Sequence, residues 1–99
     1  MGLRFEWHET KAAANRRKHR VAFEEAKTVF GDPRSLVVPD VAHSEGEERW
    51  VRIGISARGR LLVVVYTERG DVIRLISSRR ASTREVADYE QTNQRAEGE

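Results

Sequence analysis

Residues 49–80, RWVRIGISARGRLLVVVYTERGDVIRLISSRR, decide the fold. Val51, Ile53 and Ile55 alternate with Trp50, Arg52 and Gly54, which predicts a strand over 49–56 with an aliphatic core face and a more polar opposite face. Residues 61–66 are apolar at both parities, the pattern of a central strand covered on both sides. Ala57-Arg58-Gly59 and Arg69-Gly70-Asp71 are short glycine-containing links, so the region reads as an antiparallel meander whose third strand runs from Val72 to Ser78.

Working outward, Leu3, Phe5 and Trp7 alternate with Arg4 and Glu6 and predict a short edge strand. Residues 9–19 are Ala-rich and charged, without Gly or Pro, and predict a helix with Thr10 as a candidate cap and almost no apolar face. Phe23, Ala26 and Phe30, with Val29 beside them, place a stripe on a second helix that Gly31-Asp32-Pro33 ends. Residues 35–39 predict a strand, and 40–48 an acidic loop containing His43. Beyond the meander, Ser82-Thr83-Arg84-Glu85 has the form of a capping box, opening a helix through about Gln94. The expected fold is α+β: a small antiparallel β-sheet with two N-terminal helices and one C-terminal helix, one domain over 1–94, then a frayed tail over 95–99.

The chain has 99 residues, 38% hydrophobic and 34% charged, enough for one core but not two. The absence of cysteine excludes disulfides, Cys-ligated zinc and a thiol nucleophile. The longest apolar run, 61–66, is far too short to span a bilayer, and no cationic-then-apolar leader opens the sequence, so a cytoplasmic protein is expected.

Net charge is only +2, yet the charges are segregated. Residues 1–20 carry +4, 21–48 carry −5, 49–84 carry +7 and 85–99 carry −4. Fifteen of the 18 cations are Arg, whose planar fork grips phosphate or carboxylate bidentately. Segregation of this kind suits a face that meets a polyanion.

No glycine spacing matches a phosphate cradle or dinucleotide turn, so no nucleotide cofactor is expected. His8, His19 and His43 show no HxH, HxxxH or HExxH spacing, and His43-Ser44-Glu45 is a weak metal candidate against a plain polar loop; no metal site is expected. The stronger constellation is the last hairpin, with Glu68, Arg69 and Asp71 around its turn, then Arg74, then Arg79 and Arg80. Strand parity puts Arg74 and Arg80 on one face and Arg79 on the other, unless a bulge near Ser77-Ser78 re-aims them. Arginines there would neutralise a phosphorane-like transition state while a carboxylate or histidine takes a ribose 2′-hydroxyl proton. The plainer reading is a solvated sheet face laced with Arg–Glu pairs. On the first helix, Lys11, Asn15 and Lys18 share a face and His19 follows one turn after Asn15; these are phosphate contacts and a proton carrier, or cations favoured by the helix dipole. Trp50, with polar parity, is a candidate for stacking on a base.

An ordered series of residues runs through most of the chain: Phe5-Glu6-Trp7, Lys11, Asn15, Lys18-His19, Phe23-Glu24-Glu25-Ala26, His43-Ser44, Ile53-Gly54, Ile76-Ser77-Ser78-Arg79-Arg80-Ala81, Arg84-Glu85 and Tyr89. In this the sequence resembles the BrnT toxin family of type II toxin–antitoxin systems. The resemblance implies a RelE-like fold and a metal-independent endoribonuclease that inhibits translation. It also implies neutralisation by a BrnA-like ribbon-helix-helix antitoxin, with DNA contacted only through that antitoxin. Carried to matching positions, it points to His19 and Arg79 as catalytic and Lys18 as an RNA contact. Glu68, Arg69 and Arg74 are weaker catalytic candidates from the hairpin, and Lys11 and Arg80 further RNA contacts. One departure stands out: Arg20 follows Lys18-His19 where the family usually has Gly, a residue suited to a left-handed helix end. Two other readings use the same arginine-rich face: a non-catalytic nucleic-acid-binding module, and a protein-interaction subunit docking an acidic partner.

Overall fold

The computed structural model describes residues 2–44 and 46–98, with side chains as far as Gln94. Strand β1 (Arg4–Glu6) leads into helix α1 (Glu9–His19) and a short helix α2 (Phe23–Ala26), which tightens into a 3₁₀ turn over Lys27–Gly31. Strands β2 (Leu36–Pro39), β3 (Trp50–Ile55), β4 (Leu61–Arg69) and β5 (Val72–Arg80) follow, and helix α3 (Thr83–Gly98) closes the chain. The five strands form one sheet in the order β1-β5-β4-β3-β2, so β4 is central as its two-parity apolar run predicts.

The sheet is mixed rather than antiparallel. β2 to β5 pair antiparallel, but β1 lies parallel to β5, Glu6 opposite Arg74. Alternation identifies β1 as a strand and says nothing of its partner, which lies 68 residues away. Other boundaries shift locally. His8, not Thr10, occupies the α1 N-cap position. The second apolar stripe spans α2 and the 3₁₀ turn, and α3 continues past Gln94 to Gly98. No helix among the described residues is long and apolar enough to cross a membrane.

The core lies between one sheet face and α2 with its 3₁₀ turn. Phe23, Ala26 and Val29 pack on Leu62, Val64 and Tyr66, all fully buried. Phe30 stands edge-on to both Phe5 and Tyr66, at centroid distances of 5.1 and 4.8 Å. The face of β3 that meets this core is the reverse of the one its alternation predicts. Register sets Trp50 beside Tyr66 and Arg52 beside Val64, so the polar parity faces inward and Val51 and Ile53 face outward. Arg52 is accommodated because its guanidinium lies over the Phe30 and Tyr66 rings, 4.6 and 5.7 Å from their centroids, and donates to Ser35 Oγ at 2.6 Å. Gly54 is inward for steric reasons: a Cβ there would come within 2.9 Å of Val29 Cγ1 and of Ser35 Cβ. Trp50 packs against the core, which removes it as a base-stacking platform on the open face.

Candidate active site

A single irregularity in β5 composes the site. Val65 pairs with Ser77 and Tyr66 with Leu75, leaving Ile76 as an extra residue. Ile73 and Leu75 face the core before this bulge and Ser78 after it, opposite Val64 and 1% exposed. Ser77 and Arg79 are thereby turned to the other face, where Arg74 also lies, and Arg80 takes the core side of the strand end. Simple parity paired Arg74 with Arg80; the extra residue pairs it with Arg79.

On that outward face a cleft of about 500 Å³ opens over an apolar floor of Val51, Val63 and Val65, with His19, Ser77 and Arg79 around it and Glu85 at its edge. The aliphatic parity of β3 that alternation assigns to the core thus helps build this floor.

His19 reaches the cleft because α1 is clamped by a polar residue. Asn15, 7% exposed, donates from Nδ2 to the carbonyls of Ser78 (2.9 Å) and Val21 (3.0 Å), and its Oδ1 accepts from the Ser78 N–H at 3.0 Å. β1 has ended by this point of β5, and the Asn15 amide serves the buried edge left without a strand partner as a further strand would. This explains how a helix without an apolar stripe docks. One turn later the helix stops at Arg20, which adopts the left-handed conformation (φ 58°) and donates its N–H to the Arg16 carbonyl at 2.9 Å. Arg60 then donates to the Arg20 carbonyl (3.4 Å) and pairs with the buried Glu25 carboxylate, which also accepts from Ser56 Oγ at 2.7 Å. The Arg60 bond, outweighing the opposing effect of burial, holds the Glu25 carboxyl below its ordinary range. Glu25, Ser56 and Arg60 carry no local sequence pattern that marks this network.

Arg79 is held from the start of α3. Its Nη1 and Nη2 donate to Glu85 Oε1 and Oε2 at 2.7 and 2.8 Å, and Nη1 also reaches the Arg80 carbonyl at 3.3 Å. Glu85 accepts from the Ser82 N–H at 2.8 Å while its own N–H donates to Ser82 Oγ at 3.2 Å, so the capping box forms as its sequence predicts. These bonds, Arg79 foremost, lower the Glu85 carboxyl to about 2, and Glu85 in turn raises Arg79. Glu85 therefore stays ionised and carries no proton near neutrality.

The remaining candidates are dispersed. Arg74 pairs with Glu6 at 3.1 Å, and Arg69 forks onto Glu47 at 2.7 and 3.2 Å, both toward the far end of the cleft's face. Glu68 pairs in register with Ile73, on the core side of the sheet and away from the cleft. Lys11 and Lys18 are exposed on α1, and Arg80 is exposed at the end of β5. His43 bonds Asp40 at 3.1 Å; its neighbour Glu45 lies outside the described residues. Among the described residues, no three His, Cys, Asp or Glu side chains gather in a way that would hold a metal ion. Two site residues carried a sequence signal for something else: Glu85 as a cap and Asn15 as part of a polar stripe.

The family model for the ribonuclease toxin BrnT of type II toxin–antitoxin systems matches residues 7–85. No curated protein matches the sequence. Among solved structures, the chain is similar to the Brucella abortus ribonuclease toxin BrnT, known from a 1.1 Å crystal structure, with a TM-score of 0.64 and 23% identity over 82% of this chain and 99% of that one. That likeness establishes a shared α+β fold, and the family match, extending over most of the chain and reaching both His19 and Arg79, establishes that this protein belongs to the BrnT family of type II toxin–antitoxin ribonuclease toxins.

Proposed function

We propose that the protein is a RelE-like, metal-independent endoribonuclease of the cytoplasm that inhibits translation, and that its reaction takes place in the cleft between His19 and Arg79. The observation that carries this reading is the convergence there of an imidazole, an arginine and a serine hydroxyl over the apolar floor of a cleft of about 500 Å³.

The chemistry is an internal transfer. The ribose 2′-oxygen attacks the adjacent phosphorus, the P–O5′ bond breaks, and the products are a 2′,3′-cyclic phosphate and a 5′-hydroxyl. One proton leaves the 2′-hydroxyl and one reaches the departing O5′. Glu85, held as a carboxylate at about 2, is unsuited to move either. His19 is the cleft group whose side-chain chemistry suits that work. Arg79 stabilises charge on the phosphate oxygens. Arg69 and Arg74, on the same face, together with Lys11 and Lys18 on α1, extend a cationic surface for neighbouring phosphates, and Glu68 takes no part. The same surface suits a BrnA-like ribbon-helix-helix antitoxin that presents carboxylates where RNA phosphates would lie, with DNA bound only by the antitoxin.

Purified, EDTA-treated protein should cleave RNA, stop when any ribbon-helix-helix protein encoded beside it is added, and lose activity in His19→Ala and Arg79→Ala variants that remain folded. Binding of RNA with a steep salt dependence but no cleavage, alone or in a translating extract, would replace this reading with a non-catalytic binding module.

A further inference from the structure

We infer that Glu85 is a positioning residue that fixes which edge of the Arg79 guanidinium is offered to the scissile phosphate. The inference rests on the cleft reading above and adds a role for the first turn of α3.

A guanidinium has five N–H donors in two usable edges: an end formed by Nη1 and Nη2, and a side formed by Nε and Nη2. Glu85 fills the end edge with two bonds of 2.7 and 2.8 Å, and the Arg80 carbonyl takes the other Nη1 proton at 3.3 Å. Among the described residues, nothing bonds the Nε–H or the second Nη2 proton of Arg79. These two donors are parallel and spaced to match two phosphate oxygens. The Arg79 side chain is 45% exposed and Glu85 23%, so the arginine is the more open member of the pair.

Glu85 is itself immobilised. Its Oε1 accepts the Ser82 N–H at 2.8 Å and its backbone N–H donates to Ser82 Oγ at 3.2 Å, tying the carboxylate to the rigid start of a helix. A carboxylate pinned in this way restrains rotation about the last torsions of the arginine without occupying the edge that a phosphate needs. An unrestrained Arg79 would still bind phosphate through either edge, so the loss of Glu85 should weaken turnover more than binding.

Glu85→Gln tests this, because glutamine preserves shape and can still accept from the Ser82 N–H, leaving the capping box formed. The expected result is a fall in kcat for RNA cleavage of about tenfold or more, with KM changed by less than about threefold. Ser82→Ala removes the Oγ acceptor but keeps the backbone N–H that holds Glu85 Oε1, so it should lower Tm yet retain kcat within about twofold. A 15N-detected signal from the Arg79 Nε–H, titrated with inorganic phosphate, should shift in the wild type and broaden in Glu85→Gln; this readout does not depend on turnover. Unchanged or increased kcat in Glu85→Gln, with Arg79→Ala inactive, would overturn the positioning role and leave the site reading intact. Full activity in Arg79→Ala would overturn both.

Discussion

Replacing Asn15 with Ala should be among the most damaging single changes in this protein. The side chain makes three hydrogen bonds of 2.9–3.0 Å while 7% exposed, and its partners are the N–H and carbonyl of Ser78 and the carbonyl of Val21. Alanine leaves one donor and two acceptors without their partner at a buried strand edge. A buried polar group stripped of its partner loses about 1–3 kcal/mol, the donor toward the upper end. Allowing for partial hydration, the three together should cost about 3–5 kcal/mol, against a total of about 5–15 for a domain of this size. Urea unfolding followed by far-UV circular dichroism should show the midpoint falling by roughly 1–3 M at an m-value of about 1.5–3 kcal/mol/M. Asn15→Asp sharpens the test. The carboxylate still accepts from the Ser78 N–H, but it faces two carbonyl oxygens with no proton to give, so at neutral pH it should be at least as harmful as alanine. His19 follows one turn later on α1, so RNA cleavage should also fall under conditions where the variants remain folded. An Asn15→Ala midpoint within about 0.5 M of the wild type, or a fully stable Asn15→Asp protein, would refute the reasoning that this amide serves as the missing strand.

Other consequences can be checked in the same way. Gly54→Ala should destabilise by about 1–3 kcal/mol in thermal unfolding, because its Cβ would meet Val29 and Ser35 carbons at 2.9 Å; an unchanged Tm would mean that these neighbours yield freely. Arg20→Gly should stabilise by about 0.5–1 kcal/mol by relieving the left-handed φ of 58°, visible as a Tm raised by a few degrees, and a lowered Tm would count against strain there. Tyr89 donates to Asp32 Oδ2 at 2.6 Å, and burial first, then this bond, pushes its hydroxyl up to about 12. Because the folded value exceeds the unfolded one of 10.0, this group leaves stability unchanged well below pH 10, and up to about 2–3 kcal/mol of stability is lost as pH rises through 10 toward 12. The stability difference between wild type and Tyr89→Phe should therefore shrink between pH 9.5 and about 11.5, and a constant difference would dissociate Tyr89 from alkaline unfolding.

Much of the fold was legible locally. The α1 limits, the capping box and the central place of β4 follow from propensity, cap chemistry and two-parity hydrophobicity, all of which act over a few residues. The orientation of β3 was not legible, because alternation distinguishes two faces but does not say which one meets the helices. Arg52 is accepted inside only because two aromatic rings from other elements receive its guanidinium.

By itself the sequence determined the element types, the arginine-rich character and, through the ordered series from Phe5 to Tyr89, the family. The tertiary structure alone decided which of these residues meet. β1 joins a strand 68 positions away, a pairing that no local pattern encodes. One extra residue in β5 transfers Arg79 to the face shared with Arg74. Asn15 brings His19 to that face through backbone groups of Ser78 that carry no side-chain signature. The physical reason is common to all three: side-chain direction follows backbone registry, and registry is settled by packing between segments distant in the chain.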